Sequence, residues 1–330
     1  MKKESLKIIY MGTPDFAVLP LQKLVEGNYR VEAVITMPDK PSGRGHKVQF
    51  SPVKQYALEK NIPLLQPTNL KDPEFIETLR SYQADLQIVV AFRMLPEIVW
   101  NMPPMGTFNL HASLLPQYRG AAPINWAVIN GDKETGITTF FLQHAIDTGE
   151  VIQQERIPIE ETDDVGIVHD KLMVLGADLV IETVDAILAG NVKTISQNEM
   201  ADPTTLRPAP KIFKDTCQIN WNQPSKVIYD FIRGLSPYPA AWTTLQIQDG
   251  QAAGTVKIFK THRVDEDIPH GSTPGTLISD NKNYLRVVTA DGLLEIDSLQ
   301  MPGKKRVSTG EFLRGYREDM NTECFIHIEN

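Results

Sequence analysis

The amino-acid sequence predicts an α/β protein in which a doubly wound, mostly parallel sheet is followed by a small β-barrel. Three observations lead to this fold class. The length of 330 residues exceeds what one hydrophobic core usually supports, which favours two domains. Continuous apolar runs alternate with amphipathic stretches in the first part of the chain, as in strands that helices cover on both faces. Short strand-like segments separated by turns follow after residue 240.

Strands and helices of the first part follow one another in a regular order. Apolar runs predict strands, and amphipathic spacing predicts helices. The predicted strands are residues 6–11, 31–36, 62–66, 86–92, 135–143 and 149–159, and the predicted helices are residues 17–25, 52–60, 73–82 and 165–188. A further apolar segment, residues 106–116, ends in a proline turn. The last helix has capping residues at 162–164 and a stop at Gly190. Ligands of such sheets collect beyond the carboxyl ends of the strands, so residues that follow each strand are the first candidates for a site.

A proline-rich stretch divides the chain into two parts. Residues 201–215 show little periodicity and carry repeated prolines, which predicts a linker. After it, one helix and about five strands with turn signals between them predict a small β-barrel. These elements are a helix at Ser225–Leu235 and strands at 240–248, 255–264, 275–280, 284–292 and 293–301, with a hairpin signal at 290–292. We therefore predict domains at residues 1–200 and 217–330, joined by a linker at 201–216.

Composition and charge exclude several classes of protein. Hydrophobic residues make up 42% of the chain and the net charge is -8, which disfavours a nucleic-acid binder that works through bulk charge. No apolar run approaches the roughly 20 residues of a membrane-spanning helix, and the N-terminal segment lacks a cleavage signal. Cys217 and Cys324 show neither metal-ligand nor disulfide spacing. We expect a cytoplasmic protein with free thiols, no bound metal and no membrane partner.

Familiar short motifs of cofactor and hydrolase sites are missing from the sequence. Gly12 follows the first predicted strand, but no GxGxxG pattern surrounds it, so dinucleotide binding is unsupported. Residues 42–47 (SGRGHK) do not complete a phosphate-binding P-loop, and neither GxSxG nor HExxH occurs. Serine-based or zinc-based hydrolysis therefore has no support in the sequence.

Three polar residues near predicted strand ends form the strongest candidate for a catalytic site. Asn109 and His111 are two positions apart, so on a strand both side chains project from the same face. Asp147 opens an Asp-Thr-Gly turn that leaves a carboxylate exposed at another loop. A lone histidine on a strand is more often a structural residue, but the amide on the same face and the carboxylate favour catalysis.

The residue types suit stabilisation of an oxyanion during acyl transfer. An amide and an imidazole can aim hydrogen-bond donors at one oxygen, and a nearby carboxylate favours the charged form of the imidazole. Neither Ser113 nor either cysteine has the companions of an activated nucleophile. The simplest chemistry left is direct transfer of an acyl group to an incoming amine.

Longer runs of sequence around these residues resemble one enzyme family. The segments FNLHASLLPQYRGAAPINWAVINGD (108–132) and IDTG (146–149) resemble the signature of the folate-dependent formyltransferases. Within that family, the chain resembles the methionyl-tRNA formyltransferases almost from end to end. The segments similar to that branch are IIYMGTPDFA (8–17), PDKPSGRGHKVQFSPVK (38–54) and QINWNQPSKVIYDFIRGLSPYPAAW (218–242).

The resemblance implies a Rossmann-like catalytic domain, an OB-like C-terminal domain, and transfer of formyl from 10-formyltetrahydrofolate to methionine on initiator tRNA. The family's catalytic residues fall on Asn109, His111 and Asp147. Its folate-binding segments map onto Val90, Ala91, Phe92, Arg93, Leu95, Ser113, Leu114, Leu115, Pro116, Gln143 and Ile146. These segments contain two departures from the family pattern: AFRMLP (91–96), which is shorter and carries an arginine for a glycine, and QHAIDTG (143–149), which lacks an acidic residue and a glycine.

A basic segment in an otherwise acidic chain is the candidate for contact with tRNA. In residues 38–54, four lysines and arginines stand against one aspartate, which gives a local charge of +3. A solvated loop of mixed charge would show the same composition. The resemblance implies that this segment enters the acceptor region of tRNA, with Arg44 at its tip. The predicted tRNA contacts are Lys40, Arg44, Lys47, Lys211 and Lys214, and residues 303–306 (GKKR) extend the basic surface.

Three other functions stay open at the level of the sequence. A nucleotide-sugar N-formyltransferase shares the HxSLLPxYRG signature, but such enzymes generally lack the basic segment 38–54. A formyltetrahydrofolate hydrolase needs neither an amine acceptor nor that segment. An RNA-binding protein with a degenerate catalytic domain would have lost one of the three catalytic residues. We therefore expect a folate-dependent formyltransferase that acts on methionyl-tRNA as a monomer.

Overall fold

The computed structural model describes residues 2–42, 47–247 and 252–327, and the chain divides into two compact units. The first unit contains Met1–Pro123, Glu134–Pro158 and His169–Ala209, and the second contains Ile124–Lys133, Ile159–Val168 and Pro210–Asn330. Two short segments from the first half of the chain therefore fold with the second unit. The domain boundaries proposed from the sequence stay a prediction.

The first unit is built on a seven-stranded mixed sheet. The strands of the whole unit are β1 (Lys7–Gly12), β2 (Arg30–Ile35), β3 (Lys40–Ser42), β4 (Lys47–Gln49), β5 (Leu64–Leu65), β6 (Leu86–Val90), β7 (Thr107–His111), β8 (Glu134–Phe141) and β9 (Val151–Pro158). The sheet order is β5-β2-β1-β6-β7-β8-β9, and β3 and β4 form a separate hairpin. Strands β5 to β7 in this order pair in parallel, whereas β8 is antiparallel to both β7 and β9.

Helices with recognisable start and stop signals connect these strands. They are α1 (Val18–Glu26), α2 (Pro52–Glu59), α3 (Pro73–Ser81), α4 (Glu97–Trp100), α5 (Pro123–Ile129) and α6 (Val165–Ala189). Ser51 and Asp72 cap α2 and α3 by accepting hydrogen bonds from backbone N–H groups, and a proline occupies the first turn of both helices. The stop predicted for α6 is present, because Gly190 has a φ of +67° and Asn191 N donates to Ala186 O at 3.2 Å.

The edge of the sheet at the carboxyl ends of β1, β6 and β7 is where this topology favours a ligand. β1 pairs with β2 on one side and with β6 on the other, so the order of strand addition reverses there. β7 lies beside β6, and its last residue, His111, therefore lies at this edge. A buried apolar cluster that includes Ile9, Met11, Leu79 and Val89 holds the strands in place.

The second unit is a nearly closed antiparallel barrel with a helix packed against it. Its elements are α7 (Ser225–Leu235), β10 (Ala241–Gln246), β11 (Ala252–Val264), β12 (Leu277–Ser279), β13 (Leu285–Val288), β14 (Leu293–Gln300), β15 (Val307–Ser308), α8 (Thr309–Gly315) and β16 (Cys324–Ile326). The strand order is β12-β13-β14-β11-β10-β16. Phe325 N donates to Gly275 O at 2.9 Å just before β12, which joins the two edges of the sheet.

A mixed α/β sheet followed by an antiparallel barrel confirms the predicted fold class. Several elements were not predicted from the sequence. The β3–β4 hairpin lies in the basic segment, α4 and α5 lie outside the predicted helices, and β15, α8 and β16 follow the last predicted strand. The first unit ends at Ala209 and the last segment of the second unit begins at Pro210, both within the stretch predicted to be a linker. Among the described residues, no helix meets the length and apolarity that crossing a bilayer requires.

Candidate active site

The carboxyl end of β7 carries Asn109 and His111 on one face of the sheet. Asn109 pairs across the ladder with Phe140 of β8, whose ring contacts His111 edge-on at a centroid distance of 6.4 Å. His111 is 6% exposed, so its imidazole is almost fully removed from water. Charges that develop beside it are screened less than they would be in solution.

The two ring nitrogens of His111 have different surroundings. Nε2 lies 2.9 Å from the carbonyl oxygen of Tyr118, so this nitrogen carries a proton and donates it to that oxygen. Nδ1 lies 4.0 Å from Oδ2 of Asp147. A second proton, on Nδ1, makes the ring a cation that faces the carboxylate. Nδ1 is also the ring nitrogen that is left for a reacting group.

A tight turn after β8 presents Asp147 to His111. Asp147 has a φ of 53°, in the left-handed region that side chains rarely adopt. Its Oδ2 accepts a hydrogen bond from Gly120 N at 3.0 Å. A Cβ atom on Gly149 would lie 1.6 Å from the carbonyl oxygen of Phe141, so the turn requires glycine there. The Asp-Thr-Gly pattern therefore fixes the position of the carboxylate.

The side-chain oxygen of Asn109 is buried although the residue as a whole is half-buried. Its Oδ1 accepts no hydrogen bond from any residue that the structure describes. Leaving such a group unpaired costs roughly 1–3 kcal/mol, so it marks a place where a ligand can supply the missing contact. The structure thus brings His111 and Asp147 together and places Asn109 two residues away on the same strand face.

The turn after β6 holds the first segment that the resemblance assigns to folate. Its arginine, Arg93, folds back and donates hydrogen bonds to the carbonyl oxygens of Pro67 and Thr68, the latter at 2.9 Å. The departure from the family's glycine therefore ties this turn to a neighbouring loop. The other assigned residues are Val90 and Leu95, which are buried, Phe92, which is half-buried, and Ala91, which is exposed with a φ of 46°.

Side chains of β8 and β9 fix the second assigned segment, Ser113–Pro116. Thr138 Oγ1 donates to Ser113 O at 2.7 Å and accepts from Leu115 N at 3.2 Å. Gln154 Nε2 donates to Leu115 O at 2.7 Å. Sequence reasoning missed Thr138 and Gln154, because strand residues that contact a turn more than 20 positions away leave no local pattern.

The third assigned segment is the loop that leads into the Asp147 turn. Gln143 Nε2 donates to Thr148 O at 2.7 Å and braces the loop internally. Nε2 of His144 lies 3.5 Å from Glu97 Oε1, which links the loop to α4. Ile146 is 61% exposed although it is apolar. An exposed apolar side chain beside this turn is the kind of surface that an aromatic ligand covers.

Comparison with known proteins identifies the family. A model of the formyl transferase family matches residues 6–184, and a model of the formyl transferase C-terminal domain matches residues 211–317. A methionyl-tRNA formyltransferase of Bacteroides fragilis is 69% identical over 316 residues, which cover 96% of this chain and 97% of that protein. The chain belongs to the formyltransferase family.

Further relatives specify the branch of the formyltransferases. The methionyl-tRNA formyltransferase of Porphyromonas gingivalis is 52% identical over 96% of this chain and 97% of its own length. The solved structure of a sugar 3N-formyl transferase is only 20% identical, with a TM-score of 0.63 over 91% of this chain and 99% of that one. At that identity the comparison shows a common fold and nothing about the acceptor. The resemblance to the methionyl-tRNA formyltransferases and the enzyme class expected from the sequence are confirmed.

The basic segment of this formyltransferase differs in one respect from its sequence-based description. Lys40 and Lys47 belong to β3 and β4, and Arg44 lies outside the described residues. Lys54 is 8% exposed, pairs with Asp39 and donates to Gln66 Oε1 at 2.9 Å. Hydrogen bonds to Asp39 from Lys54 and from Gln66 Nε2, the latter at 2.9 Å, hold the pKa of the Asp39 carboxyl below its ordinary value. Lys54 therefore anchors the base of the hairpin, and Lys40, Arg44 and Lys47 carry the local charge of +3.

Lys211 and Lys214 lie on a segment, residues 210–214, that two tryptophans fix within the second unit. Trp126 Nε1 donates to the carbonyl oxygen before Lys211 at 2.8 Å, and Trp242 Nε1 donates to Lys214 O at 2.7 Å. Both lysine side chains are exposed. Between them, Phe213 is 58% exposed, with Lys211 Nζ 5.4 Å from its ring centroid. The backbone is fixed while the two charges face solvent.

The described residues contain neither a candidate metal centre nor an activated thiol. Among the described residues, no group of three His, Cys, Asp or Glu side chains could hold a metal ion. Cys217 and Cys324 are free, and burial raises the pKa of both thiols. Thiols in that state are weak nucleophiles, so neither cysteine suits covalent catalysis.

Proposed function

We propose that the protein transfers the formyl group of 10-formyltetrahydrofolate to the α-amino group of methionyl initiator tRNA. The observation that carries this proposal is the placement of Asn109 and His111 on one strand face, with Nδ1 of His111 4.0 Å from Oδ2 of Asp147. The relatives at 69% and 52% identity are methionyl-tRNA formyltransferases, which supports the choice of acceptor.

Formyl transfer to an amine passes through a tetrahedral oxyanion. The α-amino nitrogen attacks the formyl carbon, a C–N bond forms, and the carbonyl electron pair moves to oxygen. Asn109 Nδ2 and protonated His111 Nδ1 stabilise that oxygen by donating hydrogen bonds. The intermediate then collapses, the bond between the formyl carbon and folate N10 breaks, and N10 gains one proton while the amine loses one. No redox step is involved.

His111 and Asp147 together stabilise the charge of the oxyanion and accept the proton of the attacking amine. The hydrogen bond from Nε2 to Tyr118 O, at 2.9 Å, sets the orientation of the ring. When Nδ1 is protonated, the Asp147 carboxylate stabilises the cation across 4.0 Å. Gly120 N donates to Oδ2 of that carboxylate and holds its orientation. The carboxylate accepts the proton of the attacking amine, directly or through a water molecule.

Three segments beside this site supply the surface for the folate donor. They are the turn after β6, the Ser113–Pro116 segment and the loop that includes Gln143 and Ile146. Exposed residues such as Ala91 and Ile146 contact the donor, whereas buried ones such as Leu95 and Leu115 shape its pocket from below. The donor then presents its formyl group to Asn109 and His111, and the family's dependence on folate supports this assignment.

The acceptor tRNA binds to clusters of lysine and arginine on a protein whose net charge is negative. Lys40 and Lys47 on the hairpin, Arg44, which lies outside the described residues, and Lys211 and Lys214 neutralise phosphates of the acceptor arm. Because the chain has a net charge of -8, binding depends on these few cations. If about four phosphates are neutralised, affinity falls with roughly the 3.6 power of the salt concentration.

A comparison of acceptors tests the proposal. Purified protein receives labelled formyl-folate with charged initiator tRNA, charged elongator tRNA or an amino-sugar nucleotide. We expect label on initiator methionyl-tRNA. Label on the sugar alone would establish the alternative, a nucleotide-sugar N-formyltransferase, and formate released without an acceptor would indicate a hydrolase. Sedimentation of the same preparation checks the predicted monomer.

A further inference from the structure

A glutamine far from the catalytic residues in sequence holds the backbone of the Asp147 turn. Gln197 Nε2 donates to Asp147 O at 2.9 Å and to Gly149 O at 2.8 Å. Gln197 is 3% exposed, and both its amide hydrogens are committed to this turn. It lies outside both family-matched ranges, which end at residue 184 and resume at residue 211.

Backbone pairing sets the position of this glutamine. Ile195 exchanges two hydrogen bonds with Val151 at the start of β9, with N to O distances of 3.0 and 2.9 Å. Gln197 begins a short 3-10 turn two residues later. The backbone pairing of Ile195 with Val151 therefore positions the Gln197 side chain beside the sheet that carries Asn109 and His111.

Arg119 fixes which end of the Gln197 amide faces the turn. Arg119 Nε and Nη2 both donate to Gln197 Oε1, at 3.0 and 2.7 Å. A guanidinium has no acceptor, so the amide oxygen must face it and the NH2 group must face the two carbonyl oxygens. One side chain therefore determines the hydrogen-bonding direction of another.

The two residues that flank Arg119 in sequence contact the catalytic side chains directly. Tyr118 O accepts from Nε2 of His111, and Gly120 N donates to Oδ2 of Asp147. Residues 118–120 are themselves paired with residues 207–209, through Tyr118 N to Arg207 O at 2.7 Å and Ala209 N to Arg119 O at 2.9 Å. The spacing between imidazole and carboxylate is therefore set by one connected network.

We propose that Gln197 is a positioning residue that sets the separation of Asp147 from His111, with Arg119 orienting its amide. This inference rests on the proposed function but assigns a role to residues outside the reacting groups. Asp147 needs such support because its φ of 53° is unfavourable for a residue with a side chain. At 4.0 Å, a small shift of the turn decides whether the carboxylate can stabilise the imidazolium.

Gln197→Met tests the role, because methionine fills a similar volume and removes both donors. We expect kcat to fall roughly 10- to 100-fold, while KM for the formyl donor and for methionyl-tRNA change less than threefold. Gln197→Glu keeps an acceptor for Arg119 but also lacks the donors, so kcat should fall as well. Asn198→Ala, an exposed position on the same 3-10 turn, is the matched control and should retain wild-type kcat.

A double-mutant cycle separates positioning from general structural support. If Gln197 acts through Asp147, adding Gln197→Met to Asp147→Asn should change the single-turnover rate less than twofold. An equal loss of rate in both backgrounds would overturn the inference, and so would a wild-type kcat in Gln197→Met. A lower kcat accompanied by higher KM values for both substrates and a lower melting temperature would also overturn it, because that combination indicates general structural damage. The wild-type acceptor assay reports on the proposed function separately. Should the label appear on a sugar, the same cycle is run with that acceptor.

Discussion

At the end of β7, His111 is 6% exposed and both of its ring nitrogens face protein atoms. In the 210–214 segment, by contrast, two indoles fix the backbone while the side chains of Lys211 and Lys214 are exposed. The difference in exposure follows from what each region binds, a reacting carbonyl group at the end of β7 and tRNA phosphates at the 210–214 segment. A reacting carbonyl must be placed within a fraction of an ångström, whereas a phosphate is attracted over several ångströms. Changes at the β7 end should therefore alter rates, and changes in the 210–214 segment should alter affinity.

The largest effect is expected at Asn109. Asn109→Ala removes a donor to the oxyanion and should lower kcat by about 10²- to 10³-fold. Single-turnover measurements at saturating donor and methionyl-tRNA would show this. Because Oδ1 has no partner among the described residues, the melting temperature should not fall, and tRNA affinity should match wild type. An unchanged rate would remove Asn109 from oxyanion stabilisation.

The second-largest effect is expected from lowering the pH, which should reduce the reaction rate at the end of β7 but not the tRNA affinity of the 210–214 segment. The α-amino group has an ordinary pKa of about 7.7–8.0, and only its neutral form attacks. The single-turnover rate should fall about tenfold per unit below roughly pH 7. Lysine and arginine stay charged over this range, so the dissociation constant of tRNA should be nearly constant in a filter-binding assay. If the rate and the tRNA affinity fell together with pH, the two regions would not have the separate roles that we propose.

Thr138→Val tests the support of the folate segment. It removes the hydrogen bonds to Ser113 O and from Leu115 N, while the shape of the side chain is kept. We expect KM for the formyl donor to rise roughly 5- to 20-fold, and the free energy of unfolding to drop by about 1–3 kcal/mol. KM for tRNA should not change. Thr135→Val, also buried on β8 but without these contacts, should leave KM for the donor at its wild-type value.

The smallest effect is expected from Lys211 and Lys214. The double variant Lys211→Ala/Lys214→Ala should weaken tRNA binding several-fold and reduce the slope of log affinity against log salt by about 1.8, with kcat unchanged at saturating tRNA. Lys71→Ala, an exposed lysine of the first unit, is the control. An unaltered salt slope in the double variant would mean that neither lysine contacts phosphate.

Local rules account for the parts of the molecule that the sequence predicted. Period-two spacing puts Asn109 and His111 on one face, and the Gly190 signal ends α6 where expected. The start of α8 also had a local signal, since Ser308 and Glu311 form a capping box that the prediction did not use.

Contacts between distant residues account for the parts that the sequence did not predict. Gln197 meets Asp147 across 50 positions, and no periodicity or motif records such a hydrogen bond. The same holds for Lys54, which counts as a free cation in the sequence but lies beside Asp39 in the fold. A charge total describes composition, whereas the availability of a charge depends on tertiary pairing.

The interleaving of the two units has a consequence for dividing the chain. Asn125 Nδ2 donates to Gly234 O at 2.8 Å, and Tyr229 Oη donates to Glu161 O at 2.7 Å, so residues before 170 complete their hydrogen bonds only when the C-terminal third is present. A fragment that stops at Ala209 would leave these partners unmet and apolar surface bare. Because each unit is assembled from more than one stretch of the chain, any single cut between residues 124 and 209 separates parts of one unit from each other.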